Sequence, residues 1–212
     1  MQFTIFEDLI VNGLTVILLR SGFTKIAEKL EASADELNAL DAVLGDGDLG
    51  VSLVRGARSV VAELPSLPEQ DFGASLTRCA LAITRISGST CGTLLASGLL
   101  SAAKNAMGKS VIEWSEMPTM FASAAAAISR RGKCELGDKT ILDAVEAARA
   151  AIEGLSDPRA MILAADKAAA EAIETMRPKV SRQGRARIFP DRSAGNPDPG
   201  MVAFRRILEA LR

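Results

Sequence analysis

The chain has 212 residues, enough for one sizeable hydrophobic core, and 48% of them are apolar while 4% are aromatic and none is Tyr. Its 25 basic and 26 acidic residues leave a formal net charge of -1, which excludes the overall basic field that draws nucleic acid or an anionic membrane surface. No histidine is present, so no imidazole of this chain can serve as general base, metal ligand, phosphoryl carrier or covalent handle for a carbonyl.

Alanine and leucine dominate and β-branched runs are few, which points to packed helices and an all-α protein. Apolar residues recur at helical spacing over about residues 3 to 20 and again up to Asp41, with Ser33 and Glu36 spaced as a capping box. The pattern resumes over 51 to 64 and stops at Pro65, Ser66, Leu67 and Pro68. Further helices are predicted over about 71–86, 91–106, 115–131, 139–154, 157–176 and 199–211, which makes nine candidates. Helices of this length on short connectors pack as antiparallel neighbours, so an up-and-down bundle is expected, its loops gathered at two ends. The loop after Asp41, the loop around Gly88, the Gly137-Asp138 turn and residues 178–200 are candidates to share one end. With no internal repeat or low-complexity linker, a single domain over 1–212 is expected.

Cys79, Cys91 and Cys134 are odd in number and lack CxxC spacing, which argues against a disulfide framework or a zinc site and favours small packing residues in a reducing cytoplasm. No uninterrupted apolar run of about 18 residues exists, and the N-terminus lacks the basic-then-apolar order of a signal peptide. A cytoplasmic protein without a membrane partner is expected.

Chemistry enters at residues 40–52, where Asp41, Asp46 and Asp48 stand among Gly45, Gly47 and Gly50 with no basic residue before Arg55. Two unit charges about 4 Å apart repel by roughly 4 kcal/mol at a surface-like dielectric, so converging carboxylates must protonate, splay into water or hold a cation. Offsets of five and two do not stack on one helical face, so the convergence has to come from a loop, and the glycines are expected to supply it through positive φ. An EF-hand is excluded: counted from Asp46, the sixth position is Val51 instead of Gly and the twelfth is Ala57 instead of Glu. Few ligands, all hard oxygens, suit magnesium, which keeps positions open for water and substrate phosphates. A solvated Asp/Gly turn is the plainer alternative.

Three weaker signals follow. Ile86-Ser87-Gly88-Ser89-Thr90-Cys91-Gly92 opens an apolar helix with small residues, which suits either phosphate binding at a helix N-terminus or an N-cap with close packing. In Gly137-Asp138-Lys139-Thr140, Asp138 is expected as the N-cap of the helix beginning near Ile141, and Lys139 either reaches a phosphate or lies in solvent. Residues 177–200 hold four prolines, three glycines and five arginines, which is a surface excursion or a functional loop whose arginines fold over bound phosphates.

Together these motifs carry a resemblance. Asp41-x4-Asp46-Gly47-Asp48-x-Gly50, the Gly88 to Gly92 segment, Gly137-Asp138-Lys139-Thr140 with Asp143, Gly184-Arg185-Ala186, and Arg192-Ser193-x-Gly195-x-Pro197-Asp198-Pro199-Gly200 stand in the order seen in the nucleotide-binding L subunit of dihydroxyacetone kinase, and the chain resembles that family over essentially its whole length. The resemblance implies an eight-helix antiparallel barrel, with Asp41, Asp46 and Asp48 holding two magnesium ions that bridge the phosphates of ADP or ATP. It implies further that Leu49, Gly50, Val51, Ser52, Ser89 and Thr90 line the nucleotide site, that Gly132 and Ile141 lie near the adenine, and that Arg185 with Asp198, Pro199 and Gly200 forms the lid side. Leu49 stands where the family usually has His or Thr, and Ser52 where Asn is common, which leaves backbone amides as the contacts from those positions.

In that family the ketose is held by a separate K subunit or domain through a covalent bond to a histidine, which this chain lacks. The expectation is therefore a kinase subunit that needs a K-type partner. Its phosphoryl donor is either exchanging ATP or a bound ADP rephosphorylated in place by a phosphotransferase protein, and a homodimer is left open. The rivals are a nucleotide-dependent regulatory module that docks a transcription regulator, and a fatty-acid-kinase use of the same domain.

Overall fold

The computed structural model describes residues 13–86 and 88–212. A short strand β1 (Leu14–Thr15) pairs antiparallel with β2 (Val111–Ile112), Leu14 opposite Ile112, a ribbon that the sequence reading did not anticipate. Thr15 ends the strand as an N-cap, its hydroxyl accepting from the Leu18 amide, and α1 (Val16–Ala32) follows. Of the helix expected over 3 to 20, residues 3–12 lie outside the described residues, and the part from Val16 is helical and runs on past Arg20.

The chain continues through α2 (Ala34–Leu44), α3 (Leu49–Glu63), α4 (Phe72–Ile86), α5 (Thr90–Lys104), α6 (Met117–Gly132), α7 (Ile141–Ile152) and α8 (Pro158–Met176). A short α9 (Pro190–Ser193) and a terminal α10 (Pro199–Ala210) complete it. The expected capping box of Ser33 and Glu36 does not form: the Ser33 side chain makes no cap bond, because its backbone N–H still bonds back into α1. Glu36 instead takes the fork of Arg206 on α10, with bonds of 2.9 and 2.6 Å.

Eight of these helices close a ring: α1 packs on α3, then each of α3 to α8 on the next, α8 on α10 and α10 back on α1. Short connectors make sequential neighbours antiparallel, so the expected all-α barrel is what forms, with α2 laid outside against α3 and α10. Among the described residues no helix is long and apolar enough to cross a membrane.

Inside the ring two apolar clusters, one around Leu53, Ile128 and Met201 and one around Val60, Phe72 and Cys79, flank a cavity of about 320 Å³. Gly22, Gly56 and Gly98 lie on its wall, so the space exists partly because these positions lack side chains. A Cβ at Gly56 would meet Ile83 at an ordinary 3.6 Å. Gly56→Ala is therefore expected to stabilise the protein by about 0.5–1 kcal/mol, raising the melting temperature by about 1–4 °C. At Gly50 an added Cβ would collide with the Ala34 carbonyl oxygen, so the same change is expected to destabilise by about 1–3 kcal/mol. Denaturant unfolding of the two variants checks the opposite signs.

Candidate functional site

Asp41 sits in the last turn of α2, and its Oδ2 accepts from the amides of Gly47 at 3.0 Å and Asp48 at 3.1 Å. One carboxylate thus folds the loop that carries the other two. The glycines act in three different ways, and only Gly47 has the expected positive φ, at 76°. Gly45, at φ -150°, leaves room for the Asp41 carboxylate, since a Cβ there would lie 2.6 Å from Oδ1. Gly50 allows α3 to approach the start of α2. Asn38 completes the joint: its Oδ1 accepts from the Gly50 amide at 2.8 Å and the Val51 amide at 3.3 Å. Ligand oxygens of Asp41, Asp46 and Asp48 then lie within 4.8 Å of one another, with Asp46 and Asp48 exposed.

A guanidinium shares this cluster. Arg185 pairs with Asp46, and that hydrogen bond holds the Asp46 carboxyl below the usual carboxylate range and raises Arg185. It arrives from the proline- and arginine-rich segment, which is built: Gly184 turns at φ +69°, residues Arg185–Ile188 form a 3-10 turn, and α9 follows. Lys139 neither reaches the aspartates nor lies in solvent. It is fully buried, and its Nζ donates to the carbonyls of Arg177, Lys179 and Ser193. The N-cap of α7 is Thr140 and not Asp138, because Asp143 Oδ2 returns to the Thr140 amide in a capping box while Asp138 Oδ2 accepts from the Glu135 amide.

These elements enclose a cleft of about 270 Å³. Asp41, Asp46, Asp48 and Leu49 form one side of it, and Ser89 and Thr90 at the start of α5 form another. Gly132 and Ile141, from the end of α6 and the start of α7, also line it, as do Arg185, Asp198, Pro199 and Gly200, with Gly200 close against Ile141. Gly50, Val51 and Ser52 are not brought to the cleft: the first two have amides held by Asn38, and Ser52 faces the barrel cavity. Ser89 is the N-cap of α5, accepting from the Gly92 amide at 3.0 Å; Ser87 lies outside the described residues.

Asn38 and Gln183 carry no expectation from the sequence, and Thr140, Cys91 and Cys134 stand in quoted segments without a binding role of their own, yet Gln183, Thr140, Cys91 and Cys134 all line the cleft. Asn38 had a signal, since it precedes Asp41 by one helical turn on the same face. Burial pushes the Cys91 thiol up to about 12 and raises Cys134 as well, so neither is a thiolate at neutral pH.

Asp198 caps α10 by accepting from the Met201 amide at 2.9 Å, and burial pushes its carboxyl up to about 6 despite the attraction of Lys139. A carboxyl raised on folding contributes stability at low pH that is lost as pH rises through about 6. Asp198→Asn keeps an N-cap acceptor and is expected to remove that dependence, a change on the order of 1–2 kcal/mol between pH 4 and pH 7 given its partial contact with solvent. Urea unfolding of both proteins across that range measures it.

Chemically, the cleft joins a mouth of three carboxylates, a guanidinium and a helix N-terminus to walls of Leu44, Leu94, Ile141 and Pro199. Hard oxygen donors in a loop suit magnesium, and the mixed lining suits a ligand with an anionic end and an apolar ring.

Known proteins share this sequence and this fold. Residues 43–212 match the family described as DAK2 domain. The chain is 30% identical over 195 residues to the ADP-binding subunit DhaL of the PEP-dependent dihydroxyacetone kinase of Escherichia coli, covering 89% of this chain and 91% of that one. It is likewise 30% identical over 176 residues to the ADP-binding subunit DhaL of PEP-dependent dihydroxyacetone kinase 2 of Listeria innocua, covering 81% and 82%. Its fold matches the dihydroxyacetone kinase of C. freundii, solved in complex with AMP-PNP and Mg2+, with a TM-score of 0.72 at 23% identity, over 92% of this chain and 33% of that one. The chain therefore spans about a third of that larger kinase and most of the length of the two subunits. With its aspartate loop, its eight-helix ring and a match over most of its length, the chain belongs to the DAK2-domain family, among the L subunits of the dihydroxyacetone kinases.

Proposed function

We propose that this chain is the ADP/ATP-binding subunit of a dihydroxyacetone-kinase-like enzyme, which phosphorylates a small ketose held by a separate K-type subunit. The observation that carries the reading is the convergence of Asp41, Asp46 and Asp48 with Arg185 at the mouth of a cleft whose other end is apolar. Phosphoryl transfer needs charge neutralisation and in-line positioning more than a protein nucleophile. Asp41, Asp46 and Asp48 would hold two magnesium ions, which supply the charge neutralisation when bound. Arg185, which lines the cleft, would pair with two phosphate oxygens at once, and Ile141 and Gly132, which also line it, would lie against the base.

The lack of histidine leaves the acceptor to a partner. Both subunits that the chain matches over most of their length are named as ADP-binding and PEP-dependent, which favours a resident ADP recharged in place by a phosphotransferase protein over exchanging ATP. No specific observation favours the regulatory-module or fatty-acid-kinase rivals. Calorimetric titration with ADP, with and without magnesium, tests the reading: binding that depends on the metal supports it, and no binding in either condition overturns it. Native mass spectrometry of the protein as isolated distinguishes retained ADP from an empty cleft.

A further inference from the structure

Lys139 is a charged side chain buried outside the aspartate cluster, and nothing in the proposed chemistry uses it. Its position is costly in two ways. The residue adopts a left-handed φ of 63°, which a non-glycine residue rarely does, and its ammonium is withdrawn from water with a relative exposure of 0%. A buried ammonium survives only if each of its three N–H groups finds an acceptor. Here all three do: Nζ donates to Arg177 O at 3.0 Å, Lys179 O at 2.7 Å and Ser193 O at 2.5 Å.

The acceptors explain the arrangement. All are main-chain carbonyls, two at the start and one near the end of the same long segment, so one ammonium draws both ends of that segment to one point. Three bonds reinforce the closure: Gly195 N to Arg177 O at 2.8 Å, Ser181 N to Ser193 Oγ at 3.0 Å, and Arg182 N to Asp138 O at 3.0 Å. Beyond the clasp the segment projects over the cleft, where Gly184 and Arg185 are exposed and Arg185 meets Asp46. So exposed a tip takes its position from its base. The turn that holds Lys139 also sets Thr140 and Ile141 into the cleft wall, which ties wall and strap to the same four residues.

We propose that Lys139 is a positioning residue: its ammonium clasps residues 177–195 into a strap and thereby holds Arg185 over the aspartate loop. The strap is read from the ligand-free protein alone, whereas its effect on a nucleotide rests on the function proposed above. Lys139→Met keeps much of the volume and removes the three donors. In the full chain without ligand, amide hydrogen exchange in 178–195 is expected to accelerate roughly tenfold or more, while the amides of α4 and α5 keep their rates. Unchanged exchange in the strap overturns the proposal, and so does equal acceleration throughout the ring, which would make Lys139 a general stabiliser.

With magnesium and ADP, dissociation of the nucleotide is expected to speed up roughly tenfold. Added to Arg185→Gln, however, Lys139→Met should change that rate by less than about twofold, since it acts through the arginine. Full additivity refutes the positioning role. If Lys139→Met does not fold, the wild-type protein decides: the amides of Ser181, Arg182 and Gly195 must open as one unit with a common exchange free energy, and three independent values overturn the clasp. Loss of ADP binding by the wild type would refute the nucleotide reading and leave the exchange result to judge the clasp.

Discussion

Asp46→Asn is expected to abolish magnesium-dependent binding of ADP while leaving the helical circular dichroism unchanged. Asp46 is exposed and its carboxylate bonds back only to its own amide, unlike Asp41, whose Oδ2 holds the Gly47 and Asp48 amides. The change therefore removes a ligand and one of three charges without unfolding the loop. Loss of one hard-oxygen anionic ligand from a site with so few should weaken the metal-dependent affinity by roughly 100-fold or more. Arg185 also loses its partner, but it is exposed and takes little of the fold with it. Calorimetry with ADP at saturating magnesium is the measurement. Affinity equal to that of the wild type would remove the aspartate loop from the site and with it the main support for the function proposed here.

The second expected result is an absence of turnover. The purified chain should phosphorylate no free ketose at a rate above background, and adding a K-type subunit should restore activity. The physical reason is that Asp41, Asp46, Asp48 and Arg185 are suited to phosphate and metal, and the chain contains no imidazole to fix a ketone covalently. Holding two reactants in line contributes about 7–11 kcal/mol to such a reaction, and a chain that positions only one of them forgoes that contribution. A coupled assay of the chain alone, then with the partner, measures both halves of the statement. Robust turnover by the chain alone would refute the division of labour.

Much of the fold was legible because helices are a short-range matter. Apolar spacing located α3 to α8 and α10 to within a few residues, and short connectors made neighbouring helices antiparallel. The capping box at Ser33 misled because the pattern S-x-x-E specifies a cap only where the chain has left the preceding helix, and there it has not. Asp138 misled for a related reason: Thr140 with Asp143 is the stronger box, two residues on. The two-residue ribbon of β1 and β2 is too short to have a periodicity at all.

By itself the sequence determined three things about this protein: a bundle of packed helices, an aspartate loop whose gathered charge calls for a cation or for water, and a chain with no imidazole to hold a carbonyl substrate. The tertiary structure alone decided that Arg185 joins Asp46, that Lys139 holds the strap and no phosphate, and that Gly50 serves close helix approach instead of positive φ. The difference is one of range. Helical periodicity and charge repulsion act between near neighbours in the chain and can be read from spacing. Which distant carbonyl meets a buried ammonium depends on how the ring closes and where its long segment lands, and no local pattern carries that information.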